Sequence, residues 1–226
     1  MTDVAQRLAQ VQTRIHAACQ RAKRSPEEVT LIAVSKRHPP EAIRAAWEAG
    51  QRHFGENYAQ ELRDKATLLS ALPGLHWHAI GPLQRNKAKY IAQSAHAFHA
   101  LDSIEIAAEL DRRRTGDKLP CFIEVNVSDE STKSGVALND VETFVEAAQR
   151  FSHLRVDGLM ALPSPHLDEK ALRAAFRALC ALAQRFNLPS LSLGTTADFE
   201  IAIEEGATHI RVGTAIFGER PKPPPA

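Results

Sequence analysis

Short apolar runs and longer amphipathic stretches follow one another along this chain in a repeating order. The first run, residues 31–34, is continuously apolar, which is typical of a strand buried on both faces. Stretches such as "PEAIRAAWEAG" instead carry apolar residues three or four positions apart, which predicts amphipathic helices. The pattern predicts strands at residues 30–35, 53–56, 76–81, 97–102, 121–127, 155–162, 190–194 and 209–213.

A strand followed by a helix, repeated around the chain, is the pattern of a (β/α)8 barrel. A doubly wound open sheet is the alternative, but that fold usually has fewer strands and a glycine-rich first turn. The turn after the first strand, "SKRHPP", contains no glycine. We therefore predict an α/β protein built as a single (β/α)8 TIM barrel.

The two ends of the chain differ from this repeat. Residues 3–23 place Val4, Leu8, Val11, Ile15 and Ala18 on one helical face, which predicts an extra helix before the first strand. The last residues, "PKPPPA", have the composition of an extended and disordered end. We expect the barrel to occupy residues 1–220 and a proline-rich tail to occupy 221–226.

Composition narrows the range of functions. The 226 residues include 28 Lys and Arg against 27 Asp and Glu, and this balance gives no reason to expect nucleic acid or a membrane surface as partner. The N-terminus has no apolar signal segment, and no apolar stretch approaches the length of a membrane span. The three cysteines are far apart and are typical of reduced thiols, so we expect a cytoplasmic protein.

Ten histidines raise the question of a metal site. His76 and His78 lie on the same face of a predicted strand, as two ligands would. However, no Cys, Asp or Glu completes a recognisable ligand set around them. We therefore predict no metal and interpret these histidines as packed or hydrogen-bonded side chains.

Lys36 is the first candidate for chemistry. It follows the buried run 31–34 directly, and barrels place their catalytic groups at the carboxyl ends of strands. A desolvated lysine loses its proton more easily and can attack a carbonyl to give a Schiff base. The alternative is a lysine whose amine simply reaches solvent at the mouth of the barrel.

The last two strands end in glycine-containing turns, "SLGTTADFE" and "RVGTAIFGE". Barrels often bind phosphate at the loops after strands 7 and 8. Gly194 and Gly213 allow the backbone to approach a ligand closely, and Thr195, Thr196 and Thr214 supply hydroxyl groups. The alternative is that these turns only begin the following helices, with Asp198 as the cap of a helix that starts at Phe199.

A Schiff-base lysine and a phosphate site together indicate a ligand with both an aldehyde and a phosphate. Pyridoxal 5′-phosphate (PLP) is such a molecule, and the sugar phosphates of lysine-dependent aldolases are the alternative. Arg211 points to the same side of its strand as Gly213, so it suits the pyridine nitrogen of PLP or, equally, the phosphate. An arginine stays charged and keeps the pyridine nitrogen an acceptor, which makes the cofactor a weaker electron sink.

Several longer blocks resemble one known family. The chain contains, in order, "LIAVSK", "GQRHFGENYAQEL", "WHAIGPLQRNK", "LDSIEIAAEL", "EVNVSDESTKSG", "GLMALP" and "DFEIAIEEGATHIRVGTAIFGER". Together these blocks resemble the pyridoxal phosphate homeostasis proteins, which are similar to the N-terminal barrel of alanine racemase standing alone. The resemblance extends over nearly the whole chain.

The resemblance implies a set of cofactor-binding residues. PLP would form a Schiff base with Lys36, with Asn57 beside the cofactor and Ile80 near the face of its ring. The phosphate contacts would come from Ser192, Gly194, Thr196, Arg211, Gly213 and Thr214, with Arg211 near the pyridine nitrogen. The family typically has Met-Gly-Met-Ser where this sequence has Leu193-Gly194-Thr195-Thr196, so the hydroxyl at residue 196 is kept with an added methyl group.

The resemblance also implies a function without turnover. Members of the family are regarded as PLP carriers or regulators that keep the vitamin B6 pool in balance, with PLP-dependent apoenzymes as potential recipients and a monomer, or alternatively a dimer, as the assembly. Alanine racemase takes its second base, a tyrosine, from a separate C-terminal domain, whereas the tyrosines here are Tyr58 and Tyr90, in the first half. We therefore expect a non-catalytic protein. A PLP-dependent racemase or other lyase or isomerase, and an interaction protein in which Lys36 is structural, are the alternatives.

Overall fold

The computed structural model describes residues 3–127 and 134–219, which form alternating strands and helices. The strands are β1 Thr30–Val34, β2 His53–Glu56, β3 His76–Ala79, β4 Ala97–Leu101, β5 Leu119–Asn126, β6 Val136–Ala137, β7 Leu154–Met160, β8 Ser190–Thr195 and β9 His209–Val212. The helices are α1 Asp3–Arg21, α2 Pro40–Glu48, α3 Ala59–Leu68, α4 Ala88–Ser94, α5 Ile104–Arg113, α6 Val141–Ala148, α7 Glu169–Arg185, α8 Phe199–Glu204 and α9 Thr214–Phe217.

The strands close into a parallel barrel. β1 pairs with β2 on one side and with β9 on the other, and β4 pairs with β5 to complete the ring. β6 pairs with β5 near the end of that strand and extends the sheet outside the ring. The predicted (β/α)8 barrel is confirmed, and the predicted strands lie within two residues of the observed ones. The two-residue strand β6 was not predicted.

The alternation of side chains along β1 divides its residues between two layers. Leu31 and Ala33 belong to the apolar core that lies between the barrel and the helices. Ile32 is fully buried and lies on the other face, inside the barrel. A Cβ added to Gly55 would lie 2.8 Å from Ile32 Cγ2 and 3.0 Å from Ile80 Cδ1, so the interior is filled at this level without a side chain from residue 55.

Helix α1 is the predicted extra helix. It buries Leu8, Val11, Ile15 and Ala18, and it packs against α8 and α9. Arg21 Nε pairs with Glu204 Oε1 of α8 at 2.6 Å on the rim of this contact. The helix therefore covers the side of the barrel formed by the last strands. Within the described residues, no helix has both the length and the apolar character that crossing a membrane requires. The predicted disordered tail, 221–226, lies outside the described residues.

Candidate functional site

A cavity of about 300 Å³ lies at the mouth of the barrel, where the carboxyl ends of the strands meet. Lys36, which follows β1, lines this cavity together with Asn57 after β2 and Ile80 after β3. Its volume is at the lower end of the range that small-molecule sites occupy. The cavity is lined by Val34, Lys36, Asn57, Ile80, Leu162, Thr195, Thr196, Ala197, Arg211, Gly213 and Thr214.

The structure therefore gathers most of the predicted binding residues around one space. The exceptions are Ser192 and Gly194, which are not among the residues that line this cavity. Gly194 lines a neighbouring cavity of about 280 Å³, which shares Thr195 and Arg211 with the first. Ser192 is fully buried below Arg211, and its hydroxyl contacts Arg211 Nη1 at 2.6 Å. Whether Ser192 and Gly194 contact a phosphate stays a prediction.

The turns after β8 and β9 are tied to one another. The Gly213 amide donates to Thr196 Oγ1 at 3.2 Å. The Thr196 hydroxyl therefore contacts the turn after β9, although threonine has a methyl group that serine lacks. A Cβ at Gly213 would lie 3.3 Å from the carbonyl oxygen of Val34. The close packing of β9 against β1 therefore favours glycine at residue 213. These two turns place hydroxyl groups and backbone amides at one side of the cavity.

Asp198 differs from its predicted role as a helix cap. Helix α8 does begin at Phe199, but the Asp198 side chain does not cap it. Its Oδ1 instead accepts from the Thr195 amide at 2.6 Å and from Thr195 Oγ1 at 2.9 Å. The carboxylate therefore closes the turn on its N-terminal side.

Arg211 is the buried cation of the site. Its Nη1 donates to the carbonyl oxygen of Ser192 at 2.6 Å, and its Nη2 donates to the carbonyl oxygen of Ala161 at 3.0 Å. Burial lowers the pKa of Arg211 to about 10, while Asp198 and Glu124 act in the opposite direction. A group with this pKa is protonated at neutral pH, so the cavity has a fixed positive charge in one wall.

Both chain neighbours of Lys36 are held by a buried ionic cluster. Lys65 Nζ of α3 lies 2.8 Å from the carbonyl oxygen of Ser35, 2.8 Å from Glu56 Oε1 and 2.7 Å from Glu61 Oε1. The Ser35 hydroxyl donates to Glu56 Oε1 at 2.7 Å, and the Arg37 amide donates to Glu61 Oε1 at 2.6 Å. Arg37 has a φ of +63°, a strained conformation for a non-glycine residue. The cluster therefore fixes the backbone that presents Lys36.

Glu56 is the unusual acid of this cluster. Burial raises its pKa to about 7, although Lys65 and the Ser35 hydroxyl favour the charged form. Its Oε2 atom is buried and has no hydrogen-bond partner among the described residues. A carboxyl group with one bonded and one unbonded oxygen accounts for this raised pKa, because the unbonded oxygen receives no compensation for its lost hydration.

Glu124 and Leu162 extend the site beyond the predicted residues. Glu124 Oε1 accepts from Ser134 Oγ at 2.7 Å, and burial raises the pKa of this carboxyl group. Leu162 is 47 % exposed and lines the Lys36 cavity, the cavity that Gly194 lines and a third cavity of about 230 Å³ that Glu124 and Ser134 also line. The block "GLMALP" contained Leu162, but nothing in its pattern distinguished that residue. Residues 128–133 of the block "EVNVSDESTKSG" lie outside the described residues.

The histidines do not assemble a metal site in the part of the chain that the structure describes, where no group of three or more His, Cys, Asp or Glu is placed to hold an ion. Several of them bond to one another instead. His53 Nδ1 lies 2.9 Å from His78 Nε2, and His78 Nδ1 lies 2.9 Å from His99 Nε2. The sequence interpretation of hydrogen-bonded histidines agrees with this arrangement.

The fold and the lysine at its mouth define a barrel of the alanine racemase type. Residues 7–221 match the family described as alanine racemase, N-terminal domain. An alanine racemase from Corynebacterium glutamicum has the same fold, with a TM-score of 0.65 at 19% identity over 96% of this chain and 62% of that one.

Closer relatives narrow this class. The chain is 43% identical to the pyridoxal phosphate homeostasis protein of Escherichia coli K12, over 97% of this chain and 98% of that one. It is 44% identical to the protein of the same name from Pseudomonas aeruginosa, over the full length of both. The structure of PipY from Synechococcus elongatus with PLP bound has a TM-score of 0.83 at 35% identity, over 96% of this chain and 100% of PipY. The chain belongs to the family of pyridoxal phosphate homeostasis proteins.

Proposed function

We propose that this protein binds PLP in the cavity at the mouth of the barrel and takes part in intracellular PLP homeostasis without catalysing a reaction of its own. The observation that carries the proposal is that Lys36 and the buried cation Arg211 line the same cavity as the hydroxyl-bearing turns after β8 and β9. PLP has an aldehyde, a ring nitrogen and a phosphate, and the cavity has a matching group for each. The structure of PipY with PLP bound supports the choice of ligand.

In this proposal different residues of the cavity bind different parts of PLP. Lys36 would hold PLP through its aldehyde carbon, as a Schiff base. Thr196, Gly213 and Thr214 hold the phosphate through hydroxyl and amide donors, and Arg211 contacts the pyridine nitrogen. Ile80 packs against the ring, and Asn57 lies beside it. Ser192 and Gly194 support this wall from below and from the adjacent turn.

Two features support the absence of catalysis. An arginine beside the pyridine nitrogen stays charged and leaves that nitrogen an acceptor, which disfavours carbanion chemistry. Neither tyrosine is among the residues that line the Lys36 cavity. Tyr58 lines a neighbouring space, which shares Asn57 with the Lys36 cavity, and its hydroxyl accepts from Arg37 Nη2 at 3.1 Å. Among the described residues, neither tyrosine is therefore placed in this cavity as a second base for two-base racemisation.

The test is the visible spectrum of the protein with PLP, before and after borohydride, followed by peptide mapping of the pyridoxyl group. We expect an absorbing species that the reductant bleaches, with the label on Lys36, and no steady turnover of amino acids. Lys36→Ala should remove the band, and Lys89→Ala, at an exposed position on α4, should keep it. A protein that stays colourless with added PLP overturns the proposal, and steady racemisation favours the enzyme instead.

The cellular context belongs to the same proposal. The protein would act in the cytoplasm, which is supported by three free thiols, a state typical of a reducing compartment. It would pass PLP to PLP-dependent apoenzymes and would act as a monomer. Sedimentation analysis tests the assembly, and the recovery of activity by a PLP-free enzyme mixed with the loaded protein tests the transfer.

A further inference from the structure

A row of hydrogen bonds crosses the inside of the barrel below Arg211. Arg211 Nη1 lies 2.6 Å from Ser192 Oγ, and Ser192 Oγ lies 2.8 Å from His99 Nδ1. His99 Nε2 then lies 2.9 Å from His78 Nδ1, and His78 Nε2 lies 2.9 Å from His53 Nδ1. Strands β4 and β8 are not neighbours in the ring, so the bond between His99 and Ser192 must cross the interior.

The two central imidazoles of this row are neutral. His78 is 4% and His99 is 0% exposed, and burial is the main cause that places the pKa of both rings well below the ordinary value. Arg211 adds to this effect at His99, because a cation disfavours a second positive charge nearby. A neutral imidazole has one N–H donor and one acceptor nitrogen. A ring that accepts a hydrogen bond at one nitrogen therefore donates one from the other, so both rings have the same donor-to-acceptor direction along the row.

Arg211 decides that direction. A guanidinium only donates, so Ser192 Oγ accepts from it, and the single hydroxyl hydrogen of Ser192 remains to be placed. Its other hydrogen-bond neighbour among the described residues is His99 Nδ1. If Ser192 donates there, the proton of His99 lies on Nε2 and is donated to His78, whose own Nε2 proton is donated to His53. The opposite direction leaves a buried hydroxyl hydrogen without an acceptor, which is costly.

The charge of Arg211 favours the same direction for a second reason. In a neutral imidazole the negative end of the dipole lies at the unprotonated nitrogen. With protons on Nε2, both His99 and His78 turn their negative ends toward Arg211 and their positive ends toward the start of β2. A buried cation is stabilised by dipoles in this orientation and opposed by the reverse one. Hydrogen-bond satisfaction and electrostatics therefore agree.

We propose that His99 and His78 are positioning residues for Arg211, which act through Ser192 by fixing the direction of this hydrogen-bonded row. Among the described residues, the bonds to Ser192 and Ala161 use three of the five guanidinium donors, and two donors remain for the cavity that Arg211 lines. The row thereby fixes the position of Arg211, the proposed contact of the pyridine nitrogen. To that extent the inference rests on the proposed function.

The first test needs no cofactor. Nitrogen-15 NMR of the histidine-labelled protein without PLP distinguishes the two neutral forms of each ring, with assignments from single variants. We expect His78 and His99 to carry their protons on Nε2 at neutral pH. In Ser192→Ala the donor to His99 is removed, and we expect a second form to appear at His99. Protons on Nδ1 in the native protein would overturn the proposed direction, and so would an unchanged His99 in Ser192→Ala.

The second test follows bound PLP in a matched pair of variants. His99→Phe keeps an aromatic ring on Phe122, which stacks on His99 at 4.1 Å, but it interrupts the row. His209→Phe changes a ring that also contacts Phe122, at 5.0 Å, but His209 Nδ1 bonds to Thr208 and lies outside the row. We expect His99→Phe to shift the visible band and to release PLP about tenfold faster. His209→Phe should leave both unchanged.

The outcomes separate this inference from the proposed function. Equal effects in both variants, or no effect of a folded His99→Phe on the band and on release, would overturn the positioning role. If His99→Phe does not fold, His99→Gln is tested instead: its amide keeps a donor and an acceptor, so the native band and release rate are expected, and a clear change in either would overturn the positioning role. A native protein that fails to bind PLP overturns the proposed function and leaves the NMR test of the row valid.

Discussion

Lys65 Nζ lies 2.8 Å from the carbonyl oxygen of Ser35, the residue that precedes Lys36. This contact joins helix α3 to the turn that presents the candidate Schiff-base lysine. Lys65 is only 6% exposed and bonds to both Glu56 and Glu61, so one ammonium group satisfies three acceptors. The geometry of the turn therefore depends on a residue 29 positions further along the chain than Lys36, outside the cavity itself.

Lys65→Met tests this dependence through stability. The substitution keeps the length of the side chain and leaves two carboxyl groups and a backbone carbonyl without their cation. Removal of one partner from a buried ion pair costs about 3 to 5 kcal/mol, so we expect a loss of this size in the free energy of unfolding. Urea denaturation measures it. Lys170→Met, at an exposed position of α7, is the control and should change stability by less than about 0.5 kcal/mol. Equal losses in both variants would contradict the role of the cluster.

Glu56 predicts a pH dependence of stability. Its pKa is raised by burial from 4.5 to about 7, against the action of Lys65 and Ser35 and with the help of Glu61. The folded protein therefore holds this proton more tightly than the unfolded chain. The contribution of Glu56 to stability should therefore fall as the pH rises from about 4.5 to 7 and stay constant above that range, while the buried histidines, whose pKa values burial lowers, contribute in the opposite direction.

The variant Glu56→Gln removes this titration. Its free energy of unfolding should differ in slope from that of the native protein by up to about 1.4 kcal/mol per pH unit within that window. Denaturant titrations at several pH values measure the slope. Glu48→Gln, an exposed position at the end of α2, should keep the native slope. Parallel curves for Glu56→Gln and the native protein would show that folding does not raise the pKa of Glu56.

The sequence predicted the parts of the site that depend on local alternation. Period two along a strand was enough to place Arg211 on the same side as Gly213, and both residues line the cavity. The carboxyl-end rule for barrels then brought Lys36 and the turns after β8 and β9 to one mouth. These predictions did not require the pairing of residues across the barrel to be known.

Contacts between distant residues could not be predicted in this way. The bond between His99 and Ser192 joins residues 93 positions apart, and the bond between Lys65 and Ser35 joins residues 30 apart. Both depend on the stagger of the strands and on the angle of a helix, which no single segment specifies. His76 and His78 were correctly placed on one strand, but the partners of His78 lie on two other strands.

Three cysteines give a prediction about the accessibility of the core. Cys19 and Cys121 are buried, and burial raises the pKa of both thiols, so neither forms the reactive thiolate readily. Cys180 on α7 is partly exposed. We expect a disulfide reagent to label one thiol quickly in the native protein and all three in denaturant. Cys180→Ser should abolish the fast reaction, and rapid labelling of a second thiol in that variant would show that the core opens.

Gly194 is explained by packing rather than by ligand access alone. Its φ is +84°, and an added Cβ would lie 2.6 Å from Ala202 Cβ and 2.8 Å from Phe199 Cα, both on α8. Gly116 has a similar φ of +77° with nothing within 4 Å of the same position, so it is a matched control for backbone strain.

Alanine at either of these glycines must adopt a left-handed conformation, which costs about 1 to 2 kcal/mol. In Gly194→Ala the collision with α8 should add roughly 1 to 3 kcal/mol, whereas Gly116→Ala should lose only the first amount. Thermal and urea denaturation of the two variants measure the difference. Equal losses would show that α8 moves away from residue 194 at little cost, and Gly194 would then be required only for its backbone conformation.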